Sequence, residues 1–444
     1  MKIHILAISG TMTTPLAIAL KKSGHTVTGS DQNHIYPPFS QILHRAHISI
    51  NPKLDSISPD LVIIGSAYKK FKNTQAEFRF FQSRKIPYIS ATQYLATKLI
   101  NKNSILVAGS YGKTTITAVL AWILTKSKFN PSYFIGGQFL NHFPSLKFAQ
   151  SDWSIVEADE SINGLDTQAK FLYYPVKYLV LTSSSWEHRD SYKSESENRL
   201  SFIKLIKRLP PDGILVYNSE DPSIKPLIKY AQCKCVGYSQ YRHQHPFLFG
   251  HHNQNNLAAC HILCTNLGIS QKFFKTNLLG FKGIKRRLEL ISIVKNTYFY
   301  DDFAQSPHRI KVSLLALQKL HPGKTILAIF EAQASFLQYK SSLEKIADSF
   351  GPAAKVFLGK LSFTSDLPKS IRTTSLDYKF HLGAKLNYLP IYSDLNNSVL
   401  SSLNPGHVLV HFSSGGLTGL KTFKNIIKNY KFQPKADPPL VEKN

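Results

Sequence analysis

Ser104-Ile-Leu-Val-Ala-Gly109-Ser-Tyr-Gly112-Lys113-Thr114-Thr115 decides the fold of this chain. An apolar run of strand length passes directly into a glycine turn, and the segment Ile116 to Leu124 behind it reads as a helix. Strand, glycine loop and helix in that order turn several backbone N–H groups and a helix N-terminus toward one point, which suits phosphate oxygens. Lys113 adds positive charge there, and the Thr114 hydroxyl is an oxygen ligand of the kind Mg²⁺ takes. The longer form of the motif has another glycine at position 107, where this chain has Val107. The strand before the loop and the helix after it separate the segment from an ordinary glycine turn. Gly109, Ser110, Tyr111, Gly112, Lys113, Thr114 and Thr115 are therefore the expected nucleotide-phosphate loop.

Toward the N-terminus, residues 2–8 form an apolar run. Gly10, a helical stretch from Pro15 to Lys22 and a second strand ending on Asp31 follow it. This is a βαβ rhythm, but Ala7, Ser9 and Gly10 make a poor dinucleotide fingerprint. A strand over Asp60 to Gly65 and a helix near Thr74 to Arg84 continue the alternation. Toward the C-terminus, strands are expected at Trp153 to Glu157, Tyr178 to Thr182 and Gly213 to Tyr217. A third region has them at Tyr298 to Asp302, Thr325 to Phe330, Lys355 to Leu358 and His407 to Phe412. The pattern predicts an α/β protein of three α/β domains: a Rossmann-like N-terminal domain over residues 1–103, a P-loop-type central ATPase over 104–284 and a Rossmann-like C-terminal domain over 285–444. The Lys- and Pro-rich end, from about residue 425, reads as a loose tail.

Composition narrows the function classes. With 43% hydrophobic and 18% charged residues, the chain can bury enough apolar surface to fold throughout, which excludes disorder. Fifty-four Lys and Arg against 27 Asp and Glu leave +27, so anionic partners are expected. The basic residues are spread along the chain and no nucleic-acid-binding spacing accompanies them, which favours nucleotide phosphates over nucleic acid. The N-terminus reads as a strand rather than a signal peptide, and no apolar run is long enough to insert into a membrane; the cytoplasm is the expected compartment. Four cysteines are too few for a disulfide framework. Cys233-x-Cys235 and Cys260-x3-Cys264 lack a second ligand cluster at zinc spacing and read as buried thiols.

Glu157-Ala-Asp159-Glu160 falls at the carboxyl end of a strand, where ligand sites of α/β sheets collect. By spacing alone these acids are a metal ligand set or a solvated strand end. His188, in Trp186-Glu-His188-Arg-Asp190, likewise follows a strand and taken alone is as readily a surface residue.

In series, these motifs resemble those of the Mur ligases, the ATP-dependent amide-forming enzymes of peptidoglycan assembly, over nearly the whole chain. The glycine loop is similar to the family's GTxGKTT, Glu157-Ala-Asp-Glu160 to its EADE and His188-Arg-Asp190 to its H-x-D. Gly250-x-His252-Asn253-x-x-Asn256 resembles GxHNxxN, and Lys285-Arg286-Arg287-Leu-Glu289 resembles KRR-x-E. Asp301-Asp302 before Pro307, and Ser413-x-Gly415-Gly416, complete the series. The resemblance implies ATP and Mg²⁺. Lys113 would contact the phosphates, Thr114 and Glu157 would hold one metal ion and His188 would serve a second, so Lys113, Glu157 and His188 are the implied catalytic residues. Asp159 and Glu160 would hold metal-bound water or orient Glu157. His252, Asn253 and Asn256 would face adenine, and Arg287 and Asp302 would reach the phosphates and ribose. Without the family, Asn253 and Asn256 read as helix caps, and Arg286 with Arg287 as a solvated basic face. In the first domain, Ser9, Gly10, Thr11, Met12, Ser30 and Asp31 would bind a UDP-sugar rather than NAD.

Within the family two branches start from UDP-N-acetylmuramate. One adds L-alanine; the other attaches a released tripeptide, L-Ala-γ-D-Glu-meso-diaminopimelate, in peptidoglycan recycling. Tyr36-Pro37-Pro38, Gly136-Gly137 leading to Asn141 and Phe143, and Phe330-Glu331 resemble the tripeptide branch. The implied reaction joins the two through an acyl phosphate, with domain closure. UDP-N-acetylmuramate and the peptide are the implied partners. Ser183 and Glu187 stand where the family has Asn and Asp, and Gln305 and Ser306 replace a pair of histidines. Ala332, Gln333 and Leu337 stand where Pro and two Arg are usual. Each missing guanidinium removes charged hydrogen bonds of about 1.5–3 kcal/mol to a carboxylate. An L-alanine ligase and a nucleotide-binding homologue without activity are the alternatives.

Overall fold

The computed structural model describes the chain except residues 33–34, 36–37, 188–190, 242–244, 333–334, 362–367, 414–416 and 433–444. Two compact units divide it, Met1–Lys285 and Arg286–Asn444.

The first unit holds two sheets. One is parallel throughout, in the order Ser49–Ile50, Thr26–Ser30, Lys2–Leu6, Leu61–Ile64, Tyr88–Ser90. The other has seven strands, in the order Lys234–Tyr238, Ile214–Asn218, Tyr178–Leu181, Asn103–Ala108, Trp153–Glu157, Ser132–Phe134, Leu146–Lys147, with only the last pairing antiparallel. Strand Asn103–Ala108 lies between strands that follow it in sequence on either side, so the connections diverge around its carboxyl end. A crevice at such a switch point is where open α/β sheets bind ligands.

The apolar runs are explained by burial on both faces. Ser104 through Ala108 are buried, as parallel strands covered by helices require. Helix Lys113–Lys126 is apolar nearly all round, and Thr114 to Leu124 are buried. It packs on the sheet and beneath helices His251–Asn266 and Gln271–Leu278, so no face needs to be polar. Leu16, Leu20 and Leu95 of the N-terminal part share one core cluster with Leu106, Phe171 and Leu181 of the central part. That shared core makes residues 1–285 one unit although the sequence shows two α/β repeats. Helix Ala91–Lys98 joins them and starts on a capping box between Ser90 and Gln93.

The second unit has a six-stranded sheet, in the order Glu289–Val294, Thr297–Asp302, Val408–Phe412, Ile326–Phe330, Lys355–Leu358, Leu386–Tyr388, parallel apart from its first hairpin. One expectation fails here. The segment from residue 425 does not begin a loose tail, because helix Leu417–Phe432 runs through it with Ile426 and Tyr430 buried. Phe423, Ile426 and Tyr430 recur at helical spacing and pack in the core of this unit. Among the described residues no helix is long and apolar enough to cross a membrane.

Candidate active site

The loop from Gly109 to Gly112 needs its glycines twice over. Gly109 has φ 120° and Gly112 has φ 76°, where side chains are strained. A Cβ at Gly109 would also overlap Thr182 Oγ1, and one at Gly112 would overlap Asn256 Oδ1. The loop is fastened to the segment after strand Tyr178–Leu181. Ser110 Oγ donates to Ser185 O at 2.6 Å, Thr182 Oγ1 to Tyr111 O at 2.5 Å and Tyr111 OH to Glu187 Oε1 at 2.5 Å. Glu187, a departure from the family pattern, thus has a partner within the loop.

Lys113 and Thr114 open the helix, and each finds a different acid. Lys113 Nζ donates to Gly109 O at 2.5 Å and to Glu160 Oε2 at 2.6 Å. Burial alone would push its pKa down, but the charges of Glu160, Asp159 and Glu157 outweigh this and raise it, so Lys113 stays charged. Thr114 Oγ1 donates to Glu157 Oε1 at 2.8 Å, and Gly136 N donates to Glu157 Oε2 at 2.7 Å. Asp159 turns elsewhere, accepting from Ser161 Oγ at 2.6 Å and Lys170 Nζ at 2.9 Å. The hydroxyl and carboxylate of Thr114 and Glu157 are hard oxygen donors, which fit Mg²⁺. Among the described residues no group of three or more His, Cys, Asp or Glu forms a metal cluster. His188 lies outside the described residues, as do Tyr36, Pro37, Gln333, Gly415 and Gly416. Thr115 is buried beneath the loop.

Asn253 and Asn256 are neither N-caps nor surface residues. Gly250 is the cap of helix His251–Asn266. Asn253 donates to Phe249 O at 3.0 Å and Asn256 donates to Asn253 Oδ1 at 3.1 Å, a buried chain that ends against Gly112. His252 is half-buried on the same turn. The four cysteines are free thiols; Cys260 and Cys264 are buried, while Cys233 and Cys235 are only partly so.

At the first sheet, the turn before helix Thr13–Lys22 is held from within. Ser9 N donates to Asp31 Oδ2 at 2.8 Å and Gly10 N to Thr13 Oγ1 at 3.0 Å. Ser30 is buried with its hydroxyl 3.0 Å from His4 Nε2. In the structure Asp31 and Ser30 therefore shape the turn, while Ser9, Gly10, Thr11 and Met12 form its accessible part.

The second unit gathers a buried ionic network at the carboxyl ends of its central strands. Arg286 Nε donates to Asp301 Oδ2 at 3.0 Å and Arg286 Nη2 to Ser413 O at 2.7 Å. His411 Nδ1 lies 2.9 Å from Asp301 Oδ1, His411 Nε2 lies 3.5 Å from Glu331 Oε1, and Ser413 Oγ donates to Glu331 Oε2 at 3.0 Å. Burial opposes the charge on His411, yet its bonds to Asp301 and Glu331 hold its pKa up at about 9. Sequence reasoning missed this histidine, although a His inside the apolar strand Val408–Phe412 was the available signal. Asp302 does not project outward. It accepts from Leu288 N at 3.0 Å, Ala304 N at 2.7 Å and Ser313 Oγ at 3.1 Å, and burial raises its pKa despite nearby Arg287. Gln305 is buried with Nε2 donating to Ala304 O at 3.1 Å, Ser306 stands at the N-cap position of helix Pro307–Leu320 without a side-chain capping bond, and Leu337 sits in the core.

Models of the Mur ligase family catalytic domain and the Mur ligase middle domain match residues 2–102 and 107–282. The UDP-N-acetylmuramate–L-alanyl-γ-D-glutamyl-meso-2,6-diaminoheptandioate ligase of Haemophilus influenzae is 29% identical over 388 residues, covering 80% of this chain and 85% of the relative. The UDP-N-acetylmuramate–L-alanine ligase of Pelagibacter ubique is 29% identical over 365 residues, covering 74% of this chain and 76% of the relative. The crystal structure of a murein peptide ligase from Psychrobacter arcticus superposes with a TM-score of 0.70 at 23% identity, over 98% of this chain and all of that one, a likeness of fold. With both domain models matched in order and the phosphate loop built at the sheet's switch point, the chain belongs to the Mur ligase family of ATP-dependent amide-bond-forming ligases.

Proposed function

We propose that this chain joins UDP-N-acetylmuramate to the tripeptide L-Ala-γ-D-Glu-meso-diaminopimelate, at the cost of ATP, in peptidoglycan recycling. The observation that carries the reading is the Thr114–Glu157 pair at 2.8 Å beside Lys113, at the carboxyl end of the central strand. The sugar's carboxylate attacks the terminal phosphorus of ATP, releasing ADP and giving an acyl phosphate. The peptide amine then displaces phosphate, losing a proton, to form the amide, and Mg²⁺ when bound would offset the phosphate charge. Lys113 and the loop amides bind the phosphates, and Thr114 and Glu157 would hold the metal ion. Gly136, whose amide orients Glu157, makes the first of the two glycines a supporting part of the site. The turn from Ser9 to Met12 is assigned to the UDP end. The cytoplasm, where such precursors are made, is the assigned compartment.

The tripeptide acceptor is supported by the Gly136-Gly137 and Phe330-Glu331 segments and by relatives such as that of Haemophilus influenzae. Offering L-alanine and the tripeptide in separate reactions, and weighing the UDP-linked product by mass spectrometry, tests it. A product heavier by the tripeptide and none by alanine is expected; the reverse assigns the chain to alanine addition.

A further inference from the structure

We propose that Glu160 is a positioning residue that makes nucleotide binding at the phosphate loop depend on a divalent cation. The inference rests on the nucleotide reading of the loop and gives Glu160, which pairs with Lys113 rather than with Glu157, a role different from the one the resemblance implied. Three observations carry it. Glu160 Oε2 sits 2.6 Å from Lys113 Nζ, the one ammonium on the loop, and the same nitrogen is anchored to Gly109 O at 2.5 Å. The Glu160 side chain is 2% exposed. Its own carbonyl accepts from the Tyr192 hydroxyl, and the preceding strand end is held through Ala158 N to Val107 O at 2.9 Å. Glu157 meanwhile is directed at Thr114 and Asp159 at Lys170, which leaves Glu160 as the acid directed at Lys113.

The consequence follows from the geometry of an ammonium. Two acceptors on one tetrahedral nitrogen stand only about 4–5 Å apart. Any phosphate oxygen that takes a bond from Lys113 is therefore placed that close to the buried Glu160 carboxylate. At that separation and in a partly desolvated site, two anions repel strongly. A polyphosphate arriving with a bound divalent cation carries its own compensation, whereas a bare one brings none to the Glu160 carboxylate. Glu160 thus holds Lys113 in place for the loop and at the same time discriminates against nucleotide that lacks its metal.

The test is the metal linkage of binding. ADP is titrated into the wild type by calorimetry with Mg²⁺ present and again with EDTA, and the ratio of the two dissociation constants is compared with that of Glu160→Gln, which keeps the shape and an acceptor oxygen. The ratio is expected to fall by about tenfold or more in the variant, chiefly through tighter metal-free binding. Glu160→Asp, which keeps the charge, is expected to stay within about threefold of the wild type. Since removing one charge of a buried pair can unfold a chain, the double variant Lys113→Gln/Glu160→Gln carries the same test with both charges removed. Its ratio should also fall below the wild-type ratio. A ratio unchanged in Glu160→Gln, or at or above the wild-type value in the double variant, overturns the role of Glu160 while leaving the nucleotide reading intact. Failure of the wild type to bind ADP under either condition would overturn the nucleotide reading itself.

Discussion

Gly112 shows how tightly single residues define this site. Its left-handed backbone and the closeness of Asn256 Oδ1, which a methyl group at this position would overlap, leave no room for a side chain. Gly112→Ala is predicted to cost about 1–3 kcal/mol of stability and to weaken ADP binding at least about tenfold, read by thermal unfolding and calorimetry. His411 makes a different kind of prediction. Its pKa of about 9 lies above the ordinary value of 6.5, so its protonated form contributes stability in full below about pH 6.5. That contribution is lost as pH rises from there through about 9. Wild-type Tm should therefore fall between pH 7 and pH 9.5, in a range where His411→Gln shows a shallower slope from a lower starting point. Equal slopes in the two proteins would refute the assignment. At this scale the sequence was legible for residue types and not for partners. Glu157, Asp159 and Glu160 stand within four positions, and spacing cannot say which one meets Thr114, Lys170 or Lys113. Tyr111 with Glu187, and Asp301 with His411, are distant in sequence, so only the folded chain pairs them.

Among elements, legibility followed length and burial. Strands Trp153–Glu157 and Lys355–Leu358 stand where their apolar runs predicted, because strands buried on both faces read as uninterrupted hydrophobic stretches. Ser49–Ile50, Ser132–Phe134 and Leu146–Lys147 are too short to show a period, and each is fixed by pairing with a neighbour rather than by its own pattern. Helix Leu417–Phe432 was hidden by composition. Lys421, Lys424, Lys428 and Lys431 line its exposed face and drew attention from Phe423, Ile426 and Tyr430 on the other. Ile426→Ala is predicted to lose about 2–5 kcal/mol in denaturant unfolding, whereas Lys428→Ala should change stability by less than about 0.5 kcal/mol. Similar small effects for both would restore the tail that the sequence suggested.

For the whole molecule, the parts agree on one activity. Two domain models match in order across residues 2–282, and the phosphate loop lies at a switch point of the central sheet. Of the replaced residues, Glu187 accepts from Tyr111 within that loop, while in the second unit Gln305 is bonded to its neighbour's carbonyl and Leu337 fills the core; the Lys113–Thr114–Glu157 arrangement is kept. The decisive assay is phosphate release with ATP, Mg²⁺, UDP-N-acetylmuramate and the tripeptide together, then with each substrate left out in turn, in the wild type and in Lys113→Ala. Release is predicted to require all three substrates and to fall by at least about a hundredfold in Lys113→Ala, whose fold is checked by circular dichroism. Release that continues without the sugar nucleotide or the peptide, or that survives in Lys113→Ala at the wild-type rate, would be incompatible with a ligase working through this loop.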